Sequence, residues 1–167
     1  MKAWKLYVAS LFLFTLVACG GQPEDEEDPN IPTGGDSTVE EPWLFNVDYQ
    51  IVDDHLNVDM YVENNTDDVQ TLVFTSGQMF EITLVNSEDE EVYRFSDDQM
   101  FTQSIQERNY EAGETADFRE SIPLENIAAG TYMMTVELTV SEETKNVSDN
   151  PSAFTQSVEV EISQTEE

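Results

Sequence analysis

His55 is the only histidine and Cys19 the only cysteine in 167 residues, so nucleophilic or acid–base chemistry of the usual kinds would have to pass through them. A Ser-His-Asp or Cys-His arrangement would need His55. That residue stands in "DDHLN", beside Asp53 and Asp54 at a predicted hairpin turn, and reads as an exposed turn residue. One histidine and one cysteine cannot make a zinc site. The acidic runs Glu24 to Asp28 and Glu88 to Glu91 lack the D-x-[DN]-x-[DN]-G spacing that places ligands around one calcium ion, and they read as solvated faces. With 36 acidic residues, paired carboxylates arise by chance and carry no argument for glycosidase chemistry. There is no glycine loop to cradle phosphate and no basic patch. The sequence thus predicts no catalytic residue, no metal and no cofactor. A non-enzymatic binding role follows by default.

Cys19 has a different chemistry. Lys2 and Lys5 precede an apolar segment from Leu6 to Ala18, too short to span a bilayer comfortably, which is the layout of a secretory signal peptide. Leu16-Val17-Ala18-Cys19 resembles the bacterial lipobox, with leucine three before the cysteine for the peptidase pocket and a small residue just before it. Residues 1–18 are then expected to be removed and Cys19 to carry lipid. The expected location is the extracytoplasmic face of the cell membrane, where acyl chains anchor the protein at about 0.8 kcal/mol per buried methylene.

Loss of Lys2 and Lys5 would leave four basic residues against 36 acidic ones, a formal charge of −32. Such a field repels nucleic acid and anionic head groups, so neither is an expected partner. It suits either a surface solvated at high salt or high external pH, or a basic partner. Residues 19–42 mix Gly, Pro, Asp and Glu with almost no apolar side chains and are expected to be a disordered acidic tether. Residues 164–167 read as a short tail. Without a second cysteine no intramolecular disulfide can form, so the domain over 43–163 must rest on its core.

Within that domain the hydrophobic period is two. Phe45, Val47, Tyr49 and Ile51 alternate with polar residues, as do Leu56, Val58, Met60 and Val62; Phe80, Ile82 and Leu84; Tyr132, Met134, Val136, Leu138 and Val140; and Val158, Val160 and Ile162. Each set predicts a half-buried antiparallel strand. Turn signals at Asp53-Asp54, Asn64 to Asp67, Ser76-Gly77, Asn86 to Asp89, Ala112-Gly113, Ala129-Gly130 and Asp149 to Pro151 separate them. Many short strands without an amphipathic helix point to an all-β sandwich. Phe101 to Arg108 reads as strand or a short helical turn, and Pro123 to Asn126 as a single helical turn.

One further pattern covers most of this region. Asn64 and Thr66; Phe74, Ser76, Gly77, Gln78 and Phe80; "EVYRFS" from Glu91 to Ser96; Phe101 and Gln103; Gly113 and Glu114; and Gly130 and Tyr132 fall in order and at natural spacing. Together they resemble the BsuPI family, named after a Bacillus intracellular proteinase inhibitor. Tyr93 and Phe95 stand where the family commonly has tryptophan, and Asp89 and Glu90 where a glycine turn is usual. The strand from Ala153 to Ile162 lies outside the motif. The resemblance implies an immunoglobulin-like antiparallel β-sandwich that binds and inhibits proteinases.

The glycines Gly77, Gly113 and Gly130 read as turn positions needing φ > 0, and Phe74, Phe80, Phe95 and Tyr132 as core. Arg94 reads as a cross-strand ion pair. An inhibitory loop would come from Ser96 to Ser104, with Asp98, Gln99, Met100 and Phe101 as the protein-binding residues, although Phe101 reads equally well as core. The functional expectation is a surface-anchored lipoprotein that binds a secreted or surface proteinase. The alternative is a structural or assembly lipoprotein of the envelope without inhibitory activity.

Overall fold

The computed structural model describes residues 41–148, 150 and 152–163. Cys19, the segments 1–18 and 164–167, and all but two residues of 19–42 lie outside the described residues. Among the described residues nine strands follow one another: β1 (Trp43–Val52), β2 (His55–Asn64), β3 (Gln70–Phe74), β4 (Phe80–Asn86), β5 (Glu91–Arg94), β6 (Gln106–Tyr110), β7 (Thr115–Pro123), β8 (Gly130–Leu138) and β9 (Thr155–Ile162). All pair antiparallel. One sheet runs β1-β2-β7 and another β5-β4-β8-β9, while β3 pairs with β6. The continuation of β8 reaches β3 through the Phe74–Val140 bridge, where the Ser141 amide donates to the Val73 carbonyl at 2.6 Å.

The alternation read from sequence is the burial pattern of the central strands. Leu56, Val58, Met60 and Val62 are fully buried on β2, Ile82 and Leu84 on β4, and Met134, Val136 and Leu138 on β8, with Tyr132 and Val140 nearly so. These strands lie within their sheets, so both backbone edges are paired and the inner face is covered. The two layers meet through aromatic rings: Phe118 of β7 packs edge-on against Phe74 and Phe80, with centroids 6.4 and 6.1 Å apart. The result is an all-β antiparallel sandwich.

Edge strands depart from the simple reading. On β1 only Trp43 and Phe45 are buried, whereas Tyr49 and Ile51 remain 38% and 37% exposed. Because β1 is the outer strand of its sheet, its far half lacks a neighbour on one side. The Tyr49 hydroxyl donates to the Glu159 carbonyl of β9 at 3.0 Å, a use of its polar tip that the period of two does not disclose.

The turns follow local chemistry. Asp53 and Asp54 both have positive φ, 49° and 58°, as a two-residue hairpin with the strands' own twist requires. Asp89 sits at φ 61°, with the Asn86 carboxamide oxygen accepting from the Glu88 and Glu90 amides around it. Gly113 has φ 71°, but Gly77 and Gly130 do not lie in the left-handed region, which corrects the expectation for those two. Pro123 to Asn126 ends β7 and enters a plain turn, closed by the Ile127 amide donating to the Leu124 carbonyl at 3.0 Å, so no helix forms there. One short helix, α1 (Glu142–Lys145), starts at Ser141, whose hydroxyl caps the Thr144 amide.

Candidate functional site: an anchored loop between β5 and β6

The chain from Ser96 to Ser104 leaves the end of β5 and returns as β6. It opens with a 3-10 turn, Phe95–Asp98, closed by the Gln99 amide donating to the Ser96 carbonyl at 3.3 Å. Of the expected strand or helical turn over Phe101 to Arg108, the strand is found, but it starts only at Gln106.

Glu81 of β4 holds the base of this loop. Its side chain is 17% exposed, and one carboxylate oxygen accepts from the Ser96 amide at 3.1 Å while the other accepts from the Gln78 carboxamide at 3.0 Å. Arg94 lies 3.9 Å away across the β4–β5 pair and binds Glu91 through two nitrogens. The cross-strand ion pair expected for Arg94 is the 3.9 Å approach to Glu81, while its closer partner is Glu91 on its own strand. Its hydrogen bond to Glu91 raises the guanidinium pKa further above its ordinary value.

Aromatic stacking supplies a second anchor. Phe80 stacks on Phe95 with centroids 4.7 Å apart, and Phe101 leans on Phe95 at 5.9 Å. Phe80 and Phe95 are partly buried against the core rather than within it, and Phe101 is half-buried.

A third anchor is the backbone of Gly77, whose amide donates to the Thr102 carbonyl at 2.8 Å. A Cβ at this position would lie 2.5 Å from the Thr102 hydroxyl and 3.3 Å from its amide nitrogen. Gly77 thus serves close backbone approach, not a turn conformation. Beyond these anchors Asp97, Asp98 and Gln99 face water and Met100 is fully exposed.

Charge gathers beside the loop. Tyr93 of β5 has its phenol pushed up to about 12, first by burial and then by the negative charges of Glu120, Glu81 and Asp98. Glu120, on the inward-facing register of β7, is itself held above the usual carboxylate range by burial. The Tyr93 phenol is thereby moved further from neutrality.

His55 is exposed in the β1–β2 hairpin, its Nδ1 2.8 Å from the Asp53 carbonyl oxygen, far in sequence and in sheet position from this loop. Among the described residues no group of three or more His, Cys, Asp or Glu side chains is placed to hold a metal ion, and no helix is long and apolar enough to cross a membrane. Asp98, Gln99, Met100 and Phe101 do lie together, but the structure divides them: Phe101 is an anchor and Met100 a tip. Glu81 was not singled out in the sequence. Its only signal there is a carboxylate three residues after Gln78, set between apolar strand residues Phe80 and Ile82.

Fold and loop together define a β-sandwich domain that displays a loop fastened at its base. The profile of the BsuPI family, intracellular proteinase inhibitor, matches residues 43–143, and the chain belongs to that family. A comparison with curated proteins gave no match.

Among solved structures, β-glucosidase 3B from Thermotoga neapolitana in complex with glucose aligns at 12% identity and TM-score 0.40, over 74% of this chain and 16% of that one. A DUF1425 family member from Shewanella sp. pv-4 aligns at 13% identity and TM-score 0.37, over 65% and 85%. A penta-heme cytochrome c552 from Thermochromatium tepidum aligns at 10% identity and TM-score 0.39, over 72% and 40%. The chain thus spans about a sixth of the length of the glucosidase.

Proposed function

We propose that this protein is a lipid-anchored, non-catalytic proteinase inhibitor on the extracytoplasmic face of the cell membrane, with Ser96 to Ser104 as its contact loop. Membership of an inhibitor family carries the reading. The loop supports it, because a segment fastened at its base and open at its tip loses little conformational freedom on docking. Cys19, the signal-like segment before it and the acidic tether over 19–42 support the anchor and the outward location. The family's description as intracellular makes location the first point to test.

An immunoglobulin-like topology is part of the proposal. The Tyr132 hydroxyl donates to the Ala128 carbonyl at 2.8 Å just as the chain crosses from β7 to β8, the bond that defines a tyrosine corner in such sandwiches.

One experiment covers both halves of the reading. The full chain and Cys19→Ser are expressed in a bacterial host, fractionated, and assayed against a panel of secreted serine proteinases. Wild type is expected in membranes and Cys19→Ser released or unprocessed, with inhibition and no hydrolase turnover. A processed, membrane-bound Cys19→Ser would remove the anchor. Failure to inhibit any proteinase, or simple digestion as a substrate, would remove the inhibitor role.

A further inference from the structure

We propose that Met100 is the side chain that enters the primary pocket of the target proteinase, and that this pocket is apolar. The inference rests on the inhibitory reading above and adds to it the contact residue and the class of target. Among the described residues Met100 is 100% exposed, whereas the next most exposed large apolar residue, Ile105, is 66% exposed. Its neighbours are held. The Ser96 amide is fixed by Glu81, the Phe101 ring by Phe95, and the Thr102 carbonyl by the Gly77 amide. The backbone is therefore fastened on both sides of a side chain that touches nothing.

Gln99, just before it, is extended at φ −115° and ψ 150°, as a peptide must be to lie along a cleft and pair with its edge. Phe101 cannot take the same role without leaving Phe95. A methionine side chain is unbranched and polarisable and fills an apolar slot well. A pocket with an acid at its base, which selects lysine or arginine, would gain nothing from it. Asp97 and Asp98 precede the tip and face water, so the pocket rim is expected to be neutral or basic.

The test uses the full chain as wild type, Met100→Ala and Met100→Lys, against subtilisin and chymotrypsin, whose pockets are apolar, and trypsin, whose pocket is acidic. Thermal midpoints of the three proteins should coincide, since the side chain has no packing to lose. Wild type is expected to inhibit subtilisin or chymotrypsin in preference to trypsin. Met100→Ala should weaken that inhibition by at least about 30-fold, the effect of a binding hot spot. Met100→Lys should move inhibition towards trypsin.

Undiminished inhibition by Met100→Ala would overturn the assignment of Met100 and leave the inhibitory reading standing. Equal or better wild-type inhibition of trypsin would overturn the apolar pocket. Wild type that inhibits none of the three, or is cut after Met100 and released, would remove both the inference and the reading beneath it.

Discussion

At one end of the β3–β6 pair, Asn64 lies fully buried, and its carboxamide nitrogen reaches the carbonyls of Asp68, Tyr110 and Glu111 at 2.8, 3.0 and 3.0 Å. Its oxygen accepts from the amide and hydroxyl of Thr66, and its backbone exchanges bonds with Gly113 and Glu114. At the other end Glu81 gathers Gln78, Ser96 and Arg94 in a comparable way, but the chain it fastens runs out to Met100. Asn64, Thr66, Gly113 and Glu114 at the first end and Gln78, Arg94 and Ser96 at the second are among the residues that carry the family resemblance, whereas Glu81 is not. At the first, a buried amide spends all its hydrogen bonds holding turns together, which is a structural role. At the second, polar and aromatic contacts stop at the base of a loop and leave its tip exposed, which suits the recognition role proposed for it.

The largest expected effect is on the Asn64 end. Asn64→Ala removes partners from three backbone carbonyls in a buried site and should lower stability by about 2–4 kcal/mol, read from denaturant unfolding. Inhibition by the fraction that remains folded should be unchanged. A loss of inhibition at full folding would break the division of labour between the ends.

Glu81→Ala should act in the opposite proportion. The Ser96 amide and the Gln78 side chain are close enough to solvent to find water, so the stability loss should be about 1–2 kcal/mol. The loop, however, should become a substrate: limited proteolysis is expected to cut between residues 96 and 104 faster than in wild type. An uncut loop would show that Phe101 and Gly77 suffice to hold it.

A smaller effect is expected from Glu120→Gln. The folded pKa of Glu120 is raised above the ordinary carboxylate value by burial, so the folded state binds more protons than the unfolded chain in the window just above that value. The stability this confers is present below about pH 4 and is lost as pH rises through the folded pKa. Glu120→Gln should therefore be slightly more stable than wild type at neutral pH, with a shallower decline of its unfolding midpoint from acid to neutral. An unchanged profile would mean that the carboxylate is better solvated than its place on β7 implies.

The core and most turns were legible in the sequence, because alternation on a central strand is the direct record of two faces with different solvents. Tyr49 and Ile51 were not, since their exposure depends on β1 lying at an edge, and edge position is a property of the whole topology. Gly77 was legible as important but not for the right reason: its constraint is the close approach of Thr102, hydroxyl first and then backbone, 25 residues on in sequence, and no local turn signal encodes such an approach. Ser96 to Ser104 does join β5 to β6, yet the separation of Phe101 from Met100 needed the ring of Phe95 in space. Cys19 and all but the last two residues of the tether lie outside the described residues and are readings of sequence chemistry.

The division between a structural end and a recognition end is tested most directly by amide hydrogen exchange on the full chain, alone and saturated with a subtilisin whose nucleophilic serine has been replaced. Protection is expected to rise at residues 96–104 and at Ser76 to Gln78 behind them, with no change around Asn64 to Gln70 or Glu111 to Glu114. Binding that protects the Asn64 end while leaving 96–104 as open as in the free protein would contradict the account.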